Sequence, residues 1–375
     1  MTAPTIFLSA GEPSGDIHGA GLARALRARI PGVRLLGLGG DRMAAEGVEL
    51  LAEVEDLAVM GFAEVVSRLP YFIRLKRTVF DALERERVDL VIPIDYPGFN
   101  LRLSRQATRR GVPVLYYIAP QVWAWHTSRT RALARDTRRV AVILPFEAEF
   151  LRRHGAEAEF VGSPLLELPM PEIGREAWCR EEGLDPQRPV LGLFPGSRAQ
   201  ELSRHLALFE SAAHELVRRT PGLQVRIGRS PDLDADHFAG AAFPTTSDPR
   251  GLLHFATAAL VKSGTTTLET ALAGTPFVVA YRMNRVSWQI ARRLVEVPHI
   301  ALANLVAGER LVPEFVQDEA TPERLAAALA PLLLPESAEA RRMTEGFDRI
   351  RGRLGSGSAS ERVAGIAAEL LGISP

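Results

Sequence analysis

The chain has 375 residues, 46% hydrophobic and 24% charged, an ordinary balance for a soluble globular chain and enough length for two domains. Its 45 basic and 45 acidic residues cancel, so no global charge draws it to nucleic acid. Cys179 is the single cysteine, which excludes an internal disulfide and a cysteine-rich metal site and suits a reducing cytoplasm. No apolar window of about 18 residues and no signal-peptide pattern occur.

Residues 5–9 (TIFLS) predict a buried strand, followed by the turn AGEPSGDIHGAG and a helix over 22–29. The order is that of a nucleotide-binding unit, but G-E-P-S-G-D is neither G-x-G-x-x-G nor a P-loop. Glu12 and Asp16 would repel phosphate, which suits sugar hydroxyls; a plain turn with Asp16 as N-cap is an equal alternative. A second strand is expected over 34–38. The apolar segment 60–75 carries Met60, Phe62, Val66, Leu69, Phe72 and Leu75, with Arg68 and Arg74 mixed in. It fits either two core helices kinked at Pro70 or an interfacial surface for acyl chains and anionic headgroups.

Strands over 88–94, 112–118, 139–144 and 159–161 complete one doubly wound domain. Asp95 falls at the carboxyl end of a parallel strand, where open α/β sheets bind ligands. Its alternative is a cap for the Pro97-Gly98 segment. Trp123, Trp125 and His126 crowd the loop after residue 118, as a site wall or a domain contact.

The proline-rich stretch 163–171 reads as a linker to a second α/β series. There, PGSR at 195–198 follows a strand over 190–194. Gly196 permits close backbone approach, Ser197 and the following N–H groups can donate, and Arg198 can hold two oxygens. A strand over 258–261 leads through Ser263, Gly264 and Thr265 into a helix, with Thr266 as N-cap and Glu269 completing a capping box. A helix start of this kind is a phosphate site. Glu269 either reaches a ribose hydroxyl or only closes the box. Two such turns suggest a nucleoside diphosphate site. Further strands are expected over 224–228, 277–280 and 300–302. The acidic run at 232–236 reads as a surface loop and H-E-x-x-H is absent, so neither metal nor cofactor is expected.

Taken in order, GEPSGD-x-HG, GLGGDRM, MGFAEV, IDYPGFN, APQVWAW, LPFE, FVGSPL, FPGSR-x-x-E, SGTTTLE, YRMN and ANLVAGERLVPE resemble the lipid-A-disaccharide synthase family over nearly the whole chain. Each motif is weak alone; the ordered set is specific. The resemblance implies the GT-B arrangement, two Rossmann-like doubly wound domains facing a cleft. An acceptor domain would span 1–165 and a UDP-sugar domain 172–354, with a C-terminal helix in 355–375 packing back on the first. It implies an inverting glycosyltransferase that joins UDP-2,3-diacylglucosamine to 2,3-diacylglucosamine 1-phosphate in lipid A biosynthesis. The enzyme would be peripheral on the cytoplasmic face of the inner membrane, with no nucleic-acid partner and homodimer formation left open.

By the same resemblance, Asp95 is the candidate general base. Ser197 and Arg198 match diphosphate contacts, Ser263, Gly264 and Thr265 the phosphate turn, Glu269 the ribose contact and Asn304 a donor-site position. Gly11, Glu12, Gly15, Asp16, His18 and Gln121 belong to the acceptor side of the cleft. Met60, Phe62, Val66, Leu69 and Phe72 belong to the acyl and membrane surface. Many relatives carry a second acid where this chain has Gly98, which favours Asp95. A UDP-N-acetylglucosamine 2-epimerase and a non-catalytic nucleotide-sugar-binding protein are the alternatives.

Overall fold

In a computed structural model, which describes residues 3–53, 69–123, 128–231, 233–284, 288–289 and 297–373, the apolar runs of the sequence become parallel strands buried along their length. Continuous burial is the mark of a parallel sheet covered on both faces. The chain divides into two units.

The first unit takes Met1–Glu167 and Leu354–Pro375. Its described strands are β1 (Thr5–Ala10), β2 (Arg34–Gly39), β3 (Glu49–Glu53), β4 (Leu90–Ile94), β5 (Leu115–Tyr117), β6 (Arg139–Val142) and β7 (Ala158–Phe160). They form one parallel sheet in the order β3-β2-β1-β4-β5-β6-β7. The order reverses between β1 and β4, paired from Ile6↔Leu90 to Ala10↔Ile94. Connections diverge at such a switch point and leave a crevice at the carboxyl ends. Gly11 and Asp95 are the first residues past those ends. The sequence reading lacked β3, a half-exposed edge strand in which Glu49 and Glu53 flank the leucines.

Leu22, Ala23 and Leu26 of the helix Pro13–Arg29 pack with Val363, Ala364 and Ala367 of the helix Ala359–Leu370, so the end of the chain completes the first unit's core. The Glu167 carboxylate anchors that last helix, accepting from Ser360 N at 2.9 Å and Ser360 Oγ at 2.7 Å. In a second core cluster, Leu75, Val79 and Leu83 of the helix Leu69–Arg85 meet Leu103 and Ala107 of the helix Pro97–Arg109. Pro70 is the second residue of the described helix; residues 60–68, the first part of the expected kinked pair, lie outside the described residues. Leu75 is in the core, not on a surface. Met60, Phe62 and Val66, and the side chains of Leu69 and Phe72, fall outside the described residues.

The second unit, Leu168–Arg353, holds β8 (Val190–Phe194), β9 (Gln224–Gly228), β10 (Thr245–Thr246), β11 (Ala258–Lys262), β12 (Phe277–Tyr281) and β13 (Glu314–Val316). The described sheet runs β10-β9-β8-β11-β12-β13, the same winding, with its switch point between β8 and β11 at Phe194↔Val261.

Two expectations change. The first part of the expected linker is a short 3-10 helix, Pro164–Glu167, that belongs to the first unit: Pro164 and Leu165 are buried and Ser163 N donates to Leu354 O at 2.9 Å. The expected strand over 300–302 gives way to a helix, Leu302–Ala307, ended by Gly308 at φ +70°. Three apolar residues could not separate strand from helix; the buried Leu302, Ala303 and Val306 show the helical spacing.

Candidate active site

At the switch point of the first unit, Asp95 and Tyr96 both have φ +47°, two successive non-glycine residues in left-handed backbone. Such conformations persist only where the surroundings over-determine them, and they cluster at functional sites. The surroundings here are β5 and Asn100. Asp95 N donates to Tyr117 O at 3.0 Å, and Asp95 O accepts from Tyr116 Oη at 2.7 Å and Asn100 Nδ2 at 2.8 Å. Asn100, fully buried, also donates to Ser9 O and Ile94 O and accepts from Ser9 Oγ, tying the ends of β1 and β4 together. The N-cap of the helix Pro97–Arg109 is Tyr96, not Asp95. A Cβ at Gly98 would meet nothing within 4 Å, so the missing second acid is not a matter of space.

The Tyr96 ring lies on Gly11, where an added Cβ would fall 2.2 Å from Cδ1. Burial first, and then the Glu12 charge, raise the Tyr96 phenol above its ordinary pKa. A Cβ added at Gly15, in the first helical turn, would fall 3.2 Å from Ala10 Cβ. Asp16 takes a different place from the one expected. It is 7% exposed, and its carboxylate accepts from Gly40 N (2.7 Å), Arg42 N (3.2 Å) and Met43 N (3.1 Å). It caps the short helix Asp41–Ala45, not its own helix, and is engaged in the fold instead of facing a sugar. Gly19 and Gly39 make room for the Met43 sulfur. The motifs GEPSGDIHG and GLGGDRM therefore interlock structurally.

Burial lowers His18 to about 4, so at neutral pH it is an uncharged imidazole. A histidine depressed in the fold adds stability above its unfolded pKa and loses it as pH falls through the folded value. Between pH 6.5 and about 4 the thermal midpoint should therefore drop, by up to about 3 kcal/mol in stability. His18→Gln should flatten that drop; parallel profiles for the two proteins would rule burial of His18 out as a cause.

At the exits of β5 and β6 the structure adds Glu147, which the sequence reading did not assign, beside Gln121 and Trp123, which it did. Gln121 is exposed just beyond β5. Trp123 Nε1 donates to Glu147 Oε1 at 2.9 Å, and Leu144 N donates to Glu147 Oε2 at 3.1 Å. Trp125 and His126 lie outside the described residues.

In the second unit the two expected turns sit at the carboxyl ends of β8 and β11. Gly196 has φ +131°, and its Cβ would fall 2.6 Å from Glu201 Cβ. Ser197 N is not available to a ligand: it donates to Glu201 Oε2 at 3.2 Å, while Ser197 and Arg198 are exposed at the start of the helix Ala199–Arg219. Lys262, one of two lysines in the chain, joins the turns by pairing with Glu201 Oε1 at 2.7 Å. Burial works to raise the Glu201 pKa, but Lys262 and the Ser197 N–H outweigh it and hold the carboxylate low. His205 backs the pair, accepting from Arg282 N at 2.9 Å and stacking on Tyr281.

The second turn differs from expectation in three ways. Ser263 is buried and its hydroxyl donates to Ile300 O at 2.7 Å, so it braces the turn from inside. Thr266 is the first helical residue; the N-cap position is Thr265, which makes no side-chain cap bond, so no capping box forms. Glu269 is half-buried, its pKa raised by burial against the opposing pull of Arg250 and a bond to Thr266. Gly264 and the exposed Thr265 are left to frame the helix start. Asn304 is fully buried and donates to Val312 O (2.9 Å) and Glu314 Oε1 (2.8 Å) while accepting from Val312 N (2.9 Å). It folds the loop before β13 and does not face a ligand.

Among solved structures, a UDP-N-acetylglucosamine 2-epimerase of Neisseria meningitidis bound to UDP-GlcNAc aligns at TM-score 0.66 and 12% identity, over 98% of this chain and 99% of that one. The glycotransferase of kitacinnamycin aligns at 0.64 and 17% identity, over 98% and 99%. Two such parallel sheets, each with its turns at a switch point, make this a GT-B protein, a fold that holds both glycosyltransferases and epimerases. A family model of lipid-A-disaccharide synthetase matches residues 6–363, and the chain is 41% identical over 393 aligned positions to the lipid-A-disaccharide synthase of Acidobacterium capsulatum, covering 99% of this chain and 97% of the relative. The chain belongs to the lipid-A-disaccharide synthase family. It is a hexosyltransferase of lipid A biosynthesis, and membership favours this over the epimerase and the non-catalytic alternatives.

Proposed function

We propose that the chain transfers a diacylglucosaminyl group from UDP-2,3-diacylglucosamine to the primary hydroxyl of 2,3-diacylglucosamine 1-phosphate, with inversion, releasing UDP. The observation that carries the reading is Asp95, an acid locked in left-handed backbone at the first switch point of a chain of this family. A primary hydroxyl is a weak nucleophile until its proton leaves, and Asp95 takes that proton as the new bond forms at the anomeric carbon. The leaving diphosphate gathers charge, which Arg198, the Ser197 hydroxyl and the helix start at Gly264–Thr265 stabilise. Glu269 accepts from a ribose hydroxyl. Mass spectrometry of products after incubation with both acylated sugars tests the reaction. A disaccharide 1-phosphate is the expected product; epimerised or unchanged UDP-sugar would reject it.

The same reading puts the enzyme at a membrane surface. Among the described residues no helix is long and apolar enough to cross a membrane. The helix Pro97–Arg109 has exposed Arg102, Arg105 and Arg109 and no acidic residue, and its packing neighbour Leu69–Arg85 exposes Arg74, Lys76 and Arg77. Each cation near an anionic bilayer is worth about 1 kcal/mol. Replacing the three arginines of 97–109 by glutamate should release the protein from phosphatidylglycerol vesicles in a co-sedimentation assay. Retained binding by a variant with an unchanged circular dichroism spectrum would remove this face from the membrane contact.

A further inference from the structure

Glu147 is a carboxyl group 2% exposed, in a position where a glutamate is costly to hold. Its side chain bends back to Leu144 N like a local cap, but it also reaches across to the next strand's exit for the Trp123 indole N–H. Reaching back three residues to a backbone N–H is an ordinary local use of a glutamate; the bond to the Trp123 indole is the one that leaves the local turn. The Trp123 ring is held a second time, edge-on against Phe146 at 5.0 Å between centroids.

The three strand ends involved are neighbours in one sheet: β4 with Asp95, β5 with Trp123, β6 with Glu147. The same β5 fixes Asp95 through Tyr116 and Tyr117. Burial first, and the Asp95 charge among the lesser causes, push the Glu147 carboxyl up to about 7, which puts the two acids within each other's field.

The geometry points to Glu147 as a positioning residue of the acceptor half-site: by fixing the Trp123 indole it sets the β5 exit, with exposed Gln121, as the wall against which the acceptor sugar is held for Asp95. The inference rests on the proposed reaction and on Asp95 as its base.

Two variants test it. Glu147→Gln offers one acceptor oxygen where the carboxylate serves two donors, so with the Leu144 N–H bond kept the Trp123 indole N–H meets an amide N–H₂ instead. Trp123→Phe removes the indole N–H with its five-membered ring and keeps an aromatic side chain beside Phe146. In each, KM for the acceptor sugar phosphate should rise about tenfold, the worth of one buried hydrogen bond, while KM for the UDP-sugar stays within about twofold. The double variant should be no worse than the worse single one, because both remove one contact. An unchanged acceptor KM in either folded variant would overturn the inference, as would effects that multiply in the double variant. If Glu147→Gln melts early, Trp123→Phe decides alone. Failure of the unaltered enzyme to make disaccharide would reject the proposed reaction instead, a result separate from normal turnover with an unmoved acceptor KM.

Discussion

Asp95→Asn is expected to lower turnover by about 10²–10⁴ while leaving UDP affinity and the thermal midpoint unchanged. The substitution keeps the size of the side chain and removes its basicity. Asparagine is among the residues that best tolerate left-handed backbone, so the φ of +47° is retained at no added strain. The bonds from Tyr116 Oη and Asn100 Nδ2 go to the Asp95 carbonyl, and they survive the substitution. Steady-state rates, calorimetry with UDP and a melting curve separate the outcomes. A normal rate would move the base elsewhere. Glu12 and His18 would then be the next candidates, since Asp16 is engaged at Gly40, Arg42 and Met43.

Arg198→Ala should weaken UDP binding by about 2–4 kcal/mol, which is about 30- to 1,000-fold in affinity. Arg198 occupies the N-cap of its helix without a side-chain cap bond, so the helix loses no cap with it. The turn itself stays braced by Glu201, through Ser197 N and Lys262. Arg198→Lys should fall between, because an ammonium keeps the charge and loses the planar fork. Calorimetry with UDP measures both. Wild-type affinity in the alanine variant would exclude Arg198 from the donor site.

The inner strands of both sheets were legible because they are short and almost wholly apolar. Asp95 and the turns at 195–198 and 263–265 were legible for the same reason, since a polar residue straight after such a run must lie at a strand end. What a side chain does there was less so. Asp16 reads as a turn acid because nothing local shows that the backbone of residues 40–43, far along the chain, will claim it. Ser263 reads as part of the phosphate turn for the same reason, and Asn304 as a donor-site position only through the family resemblance; their partners are Ile300 for the one and Val312 and Glu314 for the other. Lys262 offered a signal that went unused: a lone lysine in an arginine-rich domain, at a strand end, paired with Glu201 of FPGSR-x-x-E. Glu147 offered none, since only the fold brings LPFE beside APQVWAW.

The crossing of the chain's last helix into the first unit has a consequence for synthesis. Val363, Ala364, Ile366, Ala367 and Ala368 belong to the same core as Ile6, Leu8 and Leu22, residues translated more than 300 positions earlier. Domains usually close as they leave the ribosome, N-terminal first. Here the unit begun first cannot seal its core until residue 368 has emerged, by which time the whole of Leu168–Arg353 is free to fold. For the seconds that elongation takes, the nascent β1–β4 face stays open to chaperones. A ribosome stalled late in the message would release a finished second unit tethered to an unfinished first.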